Sequence, residues 1–99
     1  MSDYNKSKQL KAVALSYESS KNAAPKVVAT GKGEVAASII EKAKEHDVPI
    51  QEDPSLVELL SQLEMNEVIP EQLYNAVAEV LAFVYRADHE HFTLKGNRG

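Results

Sequence analysis

The chain has 99 residues, of which 43% are hydrophobic and 6% aromatic, and carries 11 Lys and Arg against 15 Asp and Glu. This size and composition predict one globular domain, and the absence of cysteine excludes disulfides, thiol catalysis and cysteine-ligated metal centres. The net charge of −4 argues against nucleic acid as a partner, because such binding depends on neutralising phosphates. No apolar run is long enough for a signal peptide or a spanning helix, so we expect a cytoplasmic protein without membrane insertion.

The predicted elements form a small α/β (α+β) domain. Residues 1–9 have no apolar period and predict a flexible N-terminal segment. Residues 10–87 form the single domain, and residues 88–99 lose the period and predict a flexible C-terminal tail. The predicted sheet has three strands, at about 11–17, 26–30 and 48–51, and the predicted helices lie at about 34–46, 54–63 and 70–86.

The second strand, the first helix and the third strand form a β-α-β unit over residues 27–52. Strands joined in this way are normally parallel neighbours in a sheet. The apolar stripes of the first two helices are predicted to be buried. They consist of Val35, Ala36, Ile39, Ile40 and Ala43 in the first helix, and of Leu56, Leu59, Leu60 and Leu63 in the second.

The last predicted helix has a broad apolar face. Its stripe contains Leu73, Val77, Val80, Leu81 and Val84, and Tyr74, Ala78 and Tyr85 widen it. A stripe of this width predicts that part of the helix shows apolar surface to a partner.

The turn Gly31–Lys32–Gly33 follows a strand and precedes a helix, a place where backbone N–H groups attract anions. One alternative is therefore a small anion- or nucleotide-binding protein that uses Gly31 to Glu34. However, Glu34 would repel a phosphate, and neither the Walker spacing nor the dinucleotide fingerprint is present. We favour a structural turn.

Other chemistry is poorly supported by the sequence. His89 and His91 flank Glu90, and His46 lies at a predicted helix end, but no third metal ligand stands at a recognisable spacing. No nucleophile motif or acid–base pair is present. We therefore expect no metal, no cofactor and no enzymatic activity.

Four sequence blocks, read in order, carry a family resemblance. They are Ala12-Val13-Ala14-Leu15, Ala24-Pro25-Lys26-Val27-Val28-Ala29, Val48-Pro49-Ile50 and the helix from Ile69-Pro70 to Tyr85. Together they resemble the cytoplasmic domain of the FlhB/YscU family, the substrate-specificity switch proteins of flagellar and injectisome type III export. The resemblance implies protein partners, namely export substrates and other components of the export gate, and a monomer located in the cytoplasm or peripherally at the gate.

The chain departs from this family at its cleavage motif. Family members carry an upstream membrane domain and an Asn-Pro-Thr-His motif, at which the asparagine cyclises and the chain is cut before proline. The corresponding positions here hold Ser7, Lys8, Gln9 and Leu10, and Asn-Pro occurs nowhere in the sequence. We therefore expect an uncleaved, stand-alone version of the post-cleavage fragment.

The resemblance also implies a docking surface for export substrates. The family attributes it to an Ala-Pro loop and to two positions of the last helix, which match Ala24, Pro25, Ala78 and Leu81. The alternative is that all four are ordinary core or turn residues. The expected function is accessory to flagellar export, supplementing or replacing the FlhB cytoplasmic domain, with a vestigial paralogue as a further alternative.

Overall fold

The computed structural model describes residues 10–17, 24–85 and 91–97. The predicted mixed fold is confirmed. Its elements, in chain order, are β1 (Leu10–Ser16), β2 (Lys26–Lys32), α1 (Glu34–Glu45), β3 (Ile50–Glu52), α2 (Pro54–Leu60), a 3₁₀ turn (Glu71–Leu73), α3 (Tyr74–Tyr85) and β4 (His91–Asn97).

The four strands form one sheet in the order β2-β1-β4-β3. β1 is antiparallel to both of its neighbours, and β3 is parallel to β4. β2 and β3 therefore run in the same direction, as the β-α-β pattern predicts. The expectation that they are neighbours is wrong, because β1 pairs with β2 and β4 pairs with β1, so that α1 crosses two intervening strands.

The sheet has four strands, not the three predicted, because residues 91–97 form β4. The prediction that this segment is part of a flexible tail is therefore wrong. The β4 residues Phe92 and Leu94 lie opposite Leu15 and Val13 of β1, and all four side chains are at most 1% exposed. The segment is ordered because its alternating apolar residues complete the core between two other strands. The predicted N-terminal segment, residues 1–9, lies outside the described residues, as do residues 88–90 and 98–99 of the predicted tail.

Two hydrophobic clusters cover the two faces of the sheet. The larger one joins the sheet to α2 and α3 and contains Val13, Leu15, Val27, Leu56, Val57, Leu60, Ile69, Val77, Val80, Phe92 and Leu94. The smaller one joins the sheet to α1 and contains Ala12, Ala36 and Ile40, with Leu10, Ile39 and Ile50 packed against it. The domain therefore has three layers, with the sheet between α1 and the pair α2 and α3.

Two residues predicted to be buried are largely exposed. Val35, in the first turn of α1, is 56% exposed although its side chain lies against Gly31 of β2. Leu59 is 48% exposed, and Val57 takes its place in the core. α2 starts at Pro54, where the Asp53 carboxylate accepts a hydrogen bond from the Leu56 N–H at 3.0 Å.

Candidate docking surface

The Ala24–Pro25 loop is held in place by hydrogen bonds to the segment that precedes α3. The Pro25 carbonyl accepts a hydrogen bond from the Ile69 N–H, with an N···O distance of 2.9 Å. Next to it, the Val27 N–H donates to the Glu67 carbonyl at 2.9 Å, and the Val27 carbonyl accepts from the Asn66 N–H at 2.7 Å. Residues 66–69 thus run along the start of β2 and join the loop to the approach of α3.

This pairing is the part of the surface that the sequence did not indicate. Residues 64–68 carry no strand alternation and suggest only a linker. In the structure, Val68 forms an isolated antiparallel bridge with Lys26, and its side chain is 52% exposed. The linker therefore places an exposed apolar side chain directly beside the predicted docking loop.

α3 has one buried face and one exposed apolar flank. Val77 and Val80 are buried in the larger cluster, which confirms that this side of the predicted stripe faces the core. Tyr74 is 44% exposed, and Ala78, one turn further along the helix, is also exposed. We call Tyr74 and Ala78 the α3 flank.

The four predicted docking residues differ in accessibility. Ala24 is half-buried, Pro25 is buried and Ala78 is exposed. Leu81 belongs to α3, but its side chain lies outside what the structure describes. The burial of Pro25 favours a role in shaping the loop for this residue, whereas Ala78 is accessible to a partner. The assignment of these residues to docking stays a prediction.

The glycine turn has the geometry of a structural connection. Gly33 has φ 63° and ψ −127°, a conformation that glycine alone adopts readily. Its N–H donates to the Leu10 carbonyl at 2.7 Å, and its carbonyl accepts from the Ala37 N–H at 3.1 Å. The Gly33 N–H is therefore engaged within the fold, and Glu34 supplies the negative charge at the helix start.

A small cavity of about 240 Å³ lies beside this turn, and one of its two lysines is paired with a carboxylate. It is lined by Lys11, Thr30, Gly31, Lys32 and Ser61. The Lys11 ammonium lies 2.6 Å from one Glu58 carboxylate oxygen and 2.7 Å from the other. Because Glu58 neutralises Lys11, the anion- or nucleotide-binding alternative is not favoured.

The histidines do not form a metal site in the part of the chain that the structure describes. His46 is exposed, with its Nδ1 at 2.9 Å from the Lys42 carbonyl, and His91 is exposed on β4. Within residues 10–17, 24–85 and 91–97, no three His, Asp or Glu side chains come together as a ligand set. His89 lies outside these residues.

Over the same three ranges, none of the helices has the length and apolar character needed to cross a bilayer.

The structure thus defines a three-layer domain with a mixed sheet and a helix that crosses between two of its strands. The family model for the FlhB, HrpN, YscU and SpaS proteins matches residues 10–84. The chain therefore belongs to this family, and the resemblance found in the sequence is confirmed.

Three relatives illustrate the match. The chain is 55% identical over 78 residues to YlqH of Bacillus subtilis, an uncharacterised protein, covering 79% of this chain and 84% of YlqH. It is 50% identical over 76 residues to the flagellar biosynthetic protein FlhB of Salmonella typhimurium, covering 76% of this chain and 20% of that protein. The crystal structure of the cytoplasmic domain of FlhB from Shewanella putrefaciens matches with a TM-score of 0.71 and 33% identity, over 85% of this chain and 73% of that one.

The matches to full-length FlhB proteins cover only part of those proteins. The chain spans about a fifth of the length of the FlhB proteins, and the family match ends at residue 84. β4 lies beyond the matched residues although it is a central strand of the sheet. The activity and partners of the full-length relatives are therefore carried over only as proposals.

Proposed function

We propose that this protein is a non-enzymatic accessory component of the flagellar type III export apparatus. It docks export substrates, supplementing or replacing the cytoplasmic domain of an FlhB protein. The observation that carries the proposal is the family match over residues 10–84. The match includes α1, α2 and all of α3 except its last residue, Tyr85. In this role the chain acts as a cytoplasmic monomer, peripheral to the export gate at the membrane.

The docking step is proposed to use the α3 flank and the Ala24–Pro25 loop. Tyr74 and Ala78 offer an accessible apolar surface, which suits a short apolar segment of a partner. The loop is tied through Ile69 to the chain that leads into α3. A backbone hydrogen bond therefore connects the two parts of the proposed surface.

A motility assay tests the role in the cell. A strain whose FlhB lacks its cytoplasmic domain is supplied with this chain, and swimming and secreted hook protein are measured. We expect partial restoration of both relative to the empty vector. Protein that accumulates to the level of the missing domain but restores neither would contradict the proposal and favour a vestigial paralogue.

A thermal-shift measurement tests the anion-binding alternative separately. A ligand that binds only the folded state must raise the melting temperature. Because Gly33 and Lys11 are engaged within the fold, we expect inorganic phosphate, ATP and GTP to leave the melting temperature unchanged at constant ionic strength. A shift that depends on nucleotide concentration and disappears in Lys32→Gln would revive that alternative.

A further inference from the structure

The sheet contains a slot between β1 and β3 that is occupied by β4. On one side, residues Leu10–Ser16 pair antiparallel with Asn97–His91, and on the other, Ile50–Glu52 pair parallel with residues 93–95. The Thr93 N–H donates to the Pro49 carbonyl at 2.8 Å, and the Asp53 N–H donates to the Lys95 carbonyl at 2.9 Å. Without β4, two rows of backbone donors and acceptors would face each other unpaired across the slot.

The strands that form the slot lie within the family match, and the strand that fills it lies outside that match. β1, β2 and β3 all lie within residues 10–84, the part of the chain that matches the family. β4, at His91–Asn97, lies outside it. Within the sheet of the described residues, β1 and β3 are hydrogen-bonded to each other only through β4, so the matched segment leaves one strand position to be filled by residues outside it.

The walls of the slot define the chemistry of its occupant. Phe92 and Leu94 are at most 1% exposed and enter the cluster formed with α2 and α3. Gly96 lies against Pro54, and a Cβ at Gly96 would come within 2.6 Å of the Pro54 Cα. Since that contact is with backbone, it cannot be relieved by a side-chain rotation. The slot therefore selects an extended segment with the pattern apolar–X–apolar–X–Gly.

We propose that this slot is a strand-binding site, that β4 is its internal ligand, and that an extended segment of a partner protein with the pattern apolar–X–apolar–X–Gly enters when β4 leaves. Strand addition of this kind takes its affinity from main-chain hydrogen bonds and its specificity from alternate side-chain pockets. β4 then competes with the partner segment for the slot and lowers the apparent affinity for that segment. We call β4 in this role the plug. This inference goes beyond the proposed function and does not depend on it, because it rests on the sheet topology and on the contacts of β4.

The test uses a fluorescent heptapeptide with the sequence of residues 91–97 as the probe. Binding is measured by anisotropy to two full-length chains, the wild type and Gly96→Val, in which the plug no longer fits against Pro54. Because an occupied site lowers apparent affinity, we expect the variant to bind the peptide about tenfold or more tightly than the wild type. A control peptide with valine at the position of Gly96 should bind neither chain.

Each outcome of this experiment decides the question. A folded Gly96→Val chain that binds neither peptide, or binds both equally, overturns the proposal. If Gly96→Val does not fold by itself, the native peptide should restore its far-ultraviolet circular dichroism and cooperative melting, and the valine peptide should not. Failure of this rescue also overturns the proposal.

A reversible lock provides a second test without destabilising the plug. Ser16 and His91 face each other on β1 and β4, and the chain has no natural cysteine. In a Ser16→Cys, His91→Cys chain, oxidation should abolish the residual binding of the native peptide, and reduction should restore it. Formation of the disulfide with no change in peptide binding would contradict displacement of β4.

Discussion

The backbone N–H of Ile69 donates a hydrogen bond to the Pro25 carbonyl, with an N···O distance of 2.9 Å. This bond joins the loop before β2 to the chain entering α3, and the Ile69 side chain is buried at 1% exposure in the larger cluster. The two parts of the proposed docking surface are therefore connected through the core of the domain.

Truncation of Ile69 should weaken this connection. We expect Ile69→Ala to lower the free energy of unfolding by about 2–5 kcal/mol, the range for a large aliphatic side chain removed from a core. Its neighbour Val68 is 52% exposed and serves as the control. Urea unfolding should show a change of at most about 0.5 kcal/mol for Val68→Ala. Equal effects of the two substitutions would contradict the packing described for residues 66–69.

The position of β4 makes a second prediction about stability. Phe92 is 1% exposed, so Phe92→Ala should lower the free energy of unfolding by about 3–5 kcal/mol. The adjacent His91 is exposed, and His91→Ala should be close to neutral. Chemical denaturation of the full chain measures both values. A neutral Phe92→Ala would mean that residues 91–97 behave as a tail.

The backbone of Gly33 makes a third prediction. With φ 63° and ψ −127°, Gly33→Ala forces a side chain into a strained conformation and should cost about 1–3 kcal/mol of stability. Asn66 also has a positive φ, of 70°, but asparagine tolerates the left-handed region. Asn66→Gly should therefore be neutral or slightly stabilising. Thermal melts of both variants measure these effects. Similar losses for both variants would argue against this account of the turn.

The missing cleavage motif makes a fourth prediction. Because Ser7 and Lys8 replace asparagine and proline, purified protein should keep its full mass after prolonged storage at neutral pH. Intact-mass spectrometry measures this directly. A fragment that begins at Lys8 would show that the chain is cut at the position of the family motif despite its sequence.

The sequence predicted local elements better than their arrangement. β2 and α1 were predictable because a short apolar run and a helical apolar stripe stand on either side of the glycine turn. The separation of β2 from β3 was not, because no local pattern records which strands enter a sheet between two others. The pairing of residues 66–69 with β2 was missed for the same reason.

β4 did carry a signal. Phe92 and Leu94 alternate with Thr93 and Lys95, the pattern of a strand with one apolar face. Its position near the end of the chain and its short length favoured a tail instead. For the docking residues, the family resemblance indicated four positions, but only the structure shows that Pro25 is buried and Ala78 exposed.

The central claim is that an export substrate docks on the α3 flank. The most direct test is the dissociation constant of an early rod or hook subunit for the wild-type chain, Ala78→Asp and Ala76→Asp. Both alanines are exposed on α3, about 160° apart around the helix axis. The two variants therefore match in charge and in helix propensity but differ in the side of the helix that they change. We predict binding about tenfold or more weaker for Ala78→Asp, because a carboxylate would be desolvated in the contact, and unchanged binding for Ala76→Asp. Wild-type affinity in a folded Ala78→Asp chain would contradict the claim.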